Sequence, residues 1–144
     1  MPNVIKGRRM AFDFGDVRIG VAISDVDGIL AVPLTTLINI EDTLFLQIAE
    51  LFDEYQPIHL YVGKPLHLSG KESESTIKAM NFAEKLRQMS PTPVSLIDER
   101  LSTVSAARQL QEAGKNAKQA RKVIDEAAAV GILEAALNAQ KSRP

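Results

Sequence analysis

Three sets of acidic residues stand on ground that a folding chain normally gives to apolar side chains. In "MAFDFG" (10–15), Met10, Phe12 and Phe14 alternate with Ala11 and Asp13. Strand periodicity therefore puts Asp13 where the second face of the strand should continue. Asp98 and Glu99 directly follow the apolar run "VSLI", at the carboxyl end of a strand, where open α/β sheets commonly hold their ligands. Asp125 has Ala128, Ala129 and Ile132 at helical spacing, and Glu126 similarly faces Ala129, Val130 and Leu133.

Burying an unpaired carboxylate costs several kcal/mol, and converging carboxylates also resist ionising together. A divalent cation removes both penalties. The chain has no cysteine and two histidines, His59 and His67. Ligation by oxygen alone suits Mg²⁺ or Mn²⁺ better than zinc. Carboxylates around such ions serve the attack of water on a phosphodiester. Each acid also has an ordinary reading: a turn-forming Asp-Gly strand end, a solvated Asp-Glu-Arg loop, an acid favoured by a helix dipole. What speaks against three separate ordinary readings is that all three elements can meet at one edge of a sheet.

The elements that must position these acids are legible in the periodicity. Strands are expected over 8–14, 19–24 and 29–36, with Asp27-Gly28 marking a hairpin between the last two. Leu44, Ile48, Leu51, Phe52 and Tyr55 fall at helical spacing behind Glu41 and Asp42, and Pro57 ends that helix. "IHLYVG" (58–63) is a strand ending on glycine. Ser69 and Glu72 have the spacing of a capping box ahead of a second helix carried by Ala79, Phe82, Leu86 and Met89. "SPTP" breaks it, and "VSLID" (94–98) is the last strand. A third helix is expected from Ser102 or Thr103 to Gly114, and a fourth from an Asn116 cap to about residue 140. The order βββ-α-β-α-β-α-α predicts a mixed α/β sheet, three antiparallel strands followed by two parallel ones, with helices on both faces.

With 144 residues the chain is expected to form one domain over residues 1–144. It is 45% hydrophobic and 24% charged, with a formal net charge of −1, so nothing global calls for a polyanionic partner. Local charge does: from Arg100 to Lys122 six Lys or Arg stand against Glu112 alone. Lys115, Lys118, Arg121 and Lys122 lie within three turns of Asp125, close enough to neutralise phosphates beside it. "GKPLHLSGK" (63–71) lacks the spacing of a Walker loop. It reads as a strand-to-helix loop in which Gly63, Lys64 and Ser69 approach a phosphate. His59 is expected to be a structural strand residue, and His67 a solvated loop residue. No apolar run reaches ~18 residues and no signal segment opens the chain. A cytoplasmic protein without membrane contact is expected, as a monomer or a homodimer.

Four segments in series resemble one known family. "DFGDVRIGVAISD" is similar to its opening D-x-G-x-x-R-I-G-V-A signature, and "VGKPLHLSGKES" to its V-G-x-P-x-x-x-x-G loop. "DERLST" is similar to its D-E-R-L-[ST]-T segment, and "IDEAAAVGIL" to its last helix. This is the YqgF family, also called RuvX, described as Holliday-junction resolvases and as nucleases maturing the 5′ end of small-subunit ribosomal RNA. The resemblance implies a ribonuclease-H-like fold and an acidic, metal-binding set of Asp13, Glu99 and Asp125, with Asp98 as the alternative to Glu99. It also implies that Arg18, Arg100 and the loop from Gly63 to Gly70 face substrate. Lys64 and His67 depart from the family's usual apolar residue and Asn. The function expected is a Mg²⁺- or Mn²⁺-dependent endonuclease acting on an RNA precursor. The alternatives are a four-way DNA junction as substrate, or a non-catalytic nucleic-acid-binding assembly factor. A sugar-kinase-like nucleotide-binding domain would need a longer chain.

Overall fold

Two antiparallel pairings open the sheet and two parallel ones complete it. The computed structural model describes residues 5–101 and 117–141, with side chains of the last helix described from 125 to 140. The strands are β1 (Arg9–Phe14), β2 (Arg18–Ser24), β3 (Ala31–Ile38), β4 (His59–Lys64) and β5 (Val94–Asp98). The helices are α1 (Glu41–Tyr55), α2 (Glu74–Met89) and α3 (Ala117–Lys141), with a 3-10 turn over Glu99–Leu101. The strand order is β3-β2-β1-β4-β5. β1 pairs antiparallel with β2 and parallel with β4. β2 pairs antiparallel with β3, and β4 pairs parallel with β5. This is the expected mixed sheet, with β3 shifted two residues along from the predicted span. The expected helix over 102–114, the Asn116 cap and Lys115 lie outside the described residues.

Alternation along the strands creates two cores. Met10, Phe12, Ile19, Val21, Leu60 and Val62 belong to one, packed with Leu44 and Ile48 of α1 and Phe82 and Leu86 of α2. Each such fully buried side chain contributes roughly 1.5–3 kcal/mol. Ala11, Ala22 and Tyr61 face the other way, onto Ala128, Ala129, Ile132 and Leu133 of α3. Small residues on this second face let α3 lie close to the sheet. His59 fulfils its structural role there: its ring stacks on Tyr61 at 4.3 Å and its Nε2 meets Ser95 Oγ at 2.8 Å. Burial, then the nearby Arg9 charge, lowers the His59 pKa.

One expected cap is displaced by four residues. Ser73, not Ser69, begins α2, its side chain accepting from Thr76 N while Thr76 Oγ1 accepts from Ser73 N at 2.9 Å. Thr76 Oγ1 also donates to the Pro65 carbonyl. Glu72 lies beside Lys64, whose Nζ is 3.7 Å from its carboxylate. A bridge between Leu66 and Glu72 and a left-handed Gly70 (φ 86°) close the intervening loop instead. Ser69 is exposed at the tip of that loop.

Candidate active site

Asp13 is buried, with 3% of its surface exposed, on the α3 face near the end of β1. Its cross-strand partner on β2 is Gly20. On the other side, Phe12 registers with Val62, so the residue beside Asp13 on β4 is Gly63. Both neighbours of this acid thus lack a side chain, and other elements fill the space. A Cβ on Gly20 would stand 1.8 Å from the Asp125 carbonyl oxygen, so the α3 backbone rests directly on β2 there. A Cβ on Gly63 would stand 2.5 Å from Ile132 Cδ1 and 2.8 Å from Glu99 Oε1. Glu99 therefore lies over one glycine and the Asp125 backbone over the other, with Asp13 between them.

The ends of the acids are engaged differently. Asp13 and Glu99 line a cavity of about 240 Å³ together with Asp16, Pro65, Ser75 and Lys78. Asp125 Oδ2 accepts from Arg18 Nε at 2.9 Å, with 28% of the Arg18 side chain and 19% of the Asp125 side chain exposed. Among the described residues no three carboxylates or histidines gather as a ready ligand set. The donors fit Mg²⁺ or Mn²⁺ by type, being carboxylate oxygens. By placement Asp13 and Glu99 share one cavity, whereas the Asp125 carboxylate is turned onto Arg18.

Asp98 and Glu99 are separated by the sheet. Asp98 registers with Lys64, two residues from Leu96 of the α1–α2 core, hence on the face opposite Asp13. Arg100 holds it, with Nη2 at 2.6 Å and Nε at 3.0 Å from its oxygens and the Arg100 backbone N–H at 2.9 Å. The Arg100 hydrogen bonds keep the Asp98 carboxyl below the ordinary aspartate range. Glu99 enters the 3-10 turn and swings back over Gly63.

The residues expected to face substrate divide as well. The Arg100 guanidinium is turned onto Asp98 and the Leu68 carbonyl, the latter at 3.3 Å, tying the 64–72 loop to the end of β5. Arg18 is turned onto Asp125. Gly63 is buried beneath Glu99 and Ile132 rather than open to a phosphate. Lys64 and Ser69 keep places on or beside the loop. Lys118, Arg121 and Lys122 fall on the first turns of α3, with side chains outside the described residues.

Two cavity residues escaped the sequence reading. Lys78 Nζ donates to Asp16 Oδ1 at 3.0 Å, and stands 3.7 Å from Glu74. These bonds, the Asp16 hydrogen bond first, raise the Lys78 pKa. The available signal was the place of Lys78 one turn into a helix that follows a strand-end loop. Glu126 also finds a partner, accepting from Thr36 Oγ1 of β3 at 3.1 Å.

A mixed sheet in this order, with helices on both faces and Asp13 near the carboxyl end of its central strand, makes a ribonuclease-H-like α/β domain. The RuvC structures of Thermus thermophilus share the fold. One, in complex with Holliday junction substrate, superposes with a TM-score of 0.61 at 11% identity over 94% of this chain and 96% of that one. Another does so with a TM-score of 0.57 at 15% identity. The family "RuvX: Holliday junction resolvase" matches residues 7–139, and the chain belongs to it. A Streptomyces avermitilis protein named "Putative pre-16S rRNA nuclease" is 44% identical over 138 residues, 94% of this chain and 88% of that one. A Mycobacterium leprae protein of the same name is 49% identical over 131 residues, 90% of this chain and 71% of that one. Among the described residues no helix is long and apolar enough to cross a membrane.

Proposed function

We propose that this chain is a divalent-metal-dependent endonuclease that trims the 5′ end of a 16S ribosomal RNA precursor in the cytoplasm. The observation that carries the reading is the seat of Asp13: a buried carboxylate between two glycines, with Glu99 over one and the Asp125 backbone over the other. Asp13, Glu99 and Asp125 would hold Mg²⁺ or Mn²⁺. When bound, the ion supplies activation of water and neutralises charge on the leaving oxygen.

The chain's own residues do the rest. Asp13 and Glu99 mark where the scissile phosphate must lie, at the open cavity on the sheet edge. Lys78, on the wall of that cavity, attracts the phosphate, and Asp16 holds its ammonium in place. Arg18 keeps Asp125 compensated until ligation, and afterwards stands beside the site as a cation for the substrate backbone. Lys64, Ser69 and the basic first turns of α3 extend the phosphate track.

The test is cleavage of a model precursor RNA with added Mn²⁺ by the wild type and by Asp13→Asn. The variant should be slower by at least about a hundredfold, since even indirect support of metal ligands is worth 10–100-fold. Equal rates would remove Asp13 from the mechanism. The family's description and the RuvC shape favour a second substrate, the four-way DNA junction. Competition between that junction and the precursor RNA decides between them.

A further inference from the structure

A second cavity, of about 220 Å³, adjoins the carboxylate one and shares Phe14 and Lys78 with it. It opens between the start of α1 and the outer face of α2, on the side of the sheet away from α3. Phe14 and Phe45 form half-buried walls, and Phe82 beneath them packs at 5.1 Å from Phe14 and 6.2 Å from Phe45. Asn39 and Asn81 bring amides to the lining. Asn39 is fixed there by a hydrogen bond from its Nδ2 to the Gly15 carbonyl at 2.8 Å. Lys85 lies over the Phe45 ring at 5.6 Å and pairs with Glu41 at 3.5 Å.

We propose that this cavity receives an unpaired nucleobase of the substrate strand, next to the phosphodiester that is cut. The inference rests on the nuclease reading above and extends it from the cut phosphate to its neighbour. Aromatic walls offer stacking that every base can use. Amides pair with base edges, and unstacked bases are read this way in single-stranded segments. Two lysines flank the seat, and one of them, Lys78, borders both cavities, where the phosphate joining the two nucleotides would run. The lining combines an aromatic floor, two amides and the Lys85–Glu41 pair, with Lys78 at the border of the carboxylate cavity. The consequence is a requirement for local unpairing at the cut, because a base held in a duplex cannot enter.

The experiment uses RNA carrying the cut site, with 2-aminopurine placed in turn at the two positions on either side of it. Calcium replaces manganese to keep the strand whole. Binding to the wild type should quench one position selectively. Asn81→Ala and Phe45→Leu should restore that signal and weaken binding. Phe45→Leu should do so by about tenfold, within the range for loss of one stacked base, and Asn81→Ala by about threefold or more through a lost hydrogen bond. An abasic residue at the quenched position should slow wild-type cleavage about tenfold in Mn²⁺ and add little further loss in the variants. Asn81 is exposed, so its variant keeps the fold and carries the test if Phe45→Leu does not. Wild-type protein that binds and cuts the RNA, yet shows no quenching that depends on the variants, overturns the base site and leaves the nuclease intact. Wild-type protein that neither binds nor cuts overturns both.

Discussion

Arg18 Nε reaches Asp125 Oδ2 at 2.9 Å, joining the first residue of β2 to a helix 107 residues later. This pairing satisfies a largely buried acid whose backbone lies on Gly20, the cross-strand neighbour of Asp13. On the proposed assignment the same guanidinium competes with the cation for Asp125.

Removing that competitor should strengthen metal binding. A partly exposed pair of this kind is worth about 0.5–1 kcal/mol. Arg18→Gln is therefore expected to bind Mn²⁺ about 2–5-fold more tightly in a calorimetric titration, while the metal-free protein melts slightly earlier. Weaker binding in the variant would show that Asp125 needs Arg18 for its orientation, and unchanged binding that Asp125 does not ligate.

The two glycines beside Asp13 should respond differently to a methyl group. In Gly20→Ala the new carbon meets the Asp125 backbone at 1.8 Å, and only a shift of α3 relieves the clash. Urea unfolding should show a loss of about 3 kcal/mol. In Gly63→Ala the obstacles are the ends of the Ile132 and Glu99 side chains, which can turn aside. Stability should fall by no more than about 1 kcal/mol, yet Glu99 is displaced. Cleavage should drop on the order of a hundredfold, as a small misplacement of a reacting group does. Parallel losses in both variants would contradict the assignment of Glu99 to the site.

Asp98 should govern acid stability instead of catalysis. Its carboxyl is held below the ordinary range by Arg100, so the folded state binds this proton less readily than the unfolded chain. Its contribution is complete above about pH 4 and fades as pH falls through the lowered value. Asp98→Asn should thus cost about 0.5–1 kcal/mol at pH 7. The gap to the wild type should close as unfolding is followed down to pH 3. A gap that widens in acid would reverse this reading.

The sheet was readable because its signals are local. Alternation in β1 and β2, Asp27-Gly28 at the hairpin and the glycine closing β4 each act over a few residues. Asp13 and Asp125 were legible for the same reason, as charged side chains breaking an apolar period. What escaped depends on contacts distant along the chain. Nothing near Arg18 announces Asp125, and nothing near Asp16 announces Lys78, 62 residues away. The cap was expected at Ser69, and the capping box that forms instead joins Ser73 to Thr76. The choice between Asp98 and Glu99 rested on the β4–β5 register, which puts Lys64 opposite Asp98 and leaves the following residue to turn across Gly63.

Because α3 supplies Asp125 and rests its own backbone on Gly20, Asp125 reaches the sheet only when this late segment docks. A chain still being made, with strands already paired but the helix absent, would carry Asp13 and Glu99 without Asp125. On the proposed assignment such an intermediate is chemically silent.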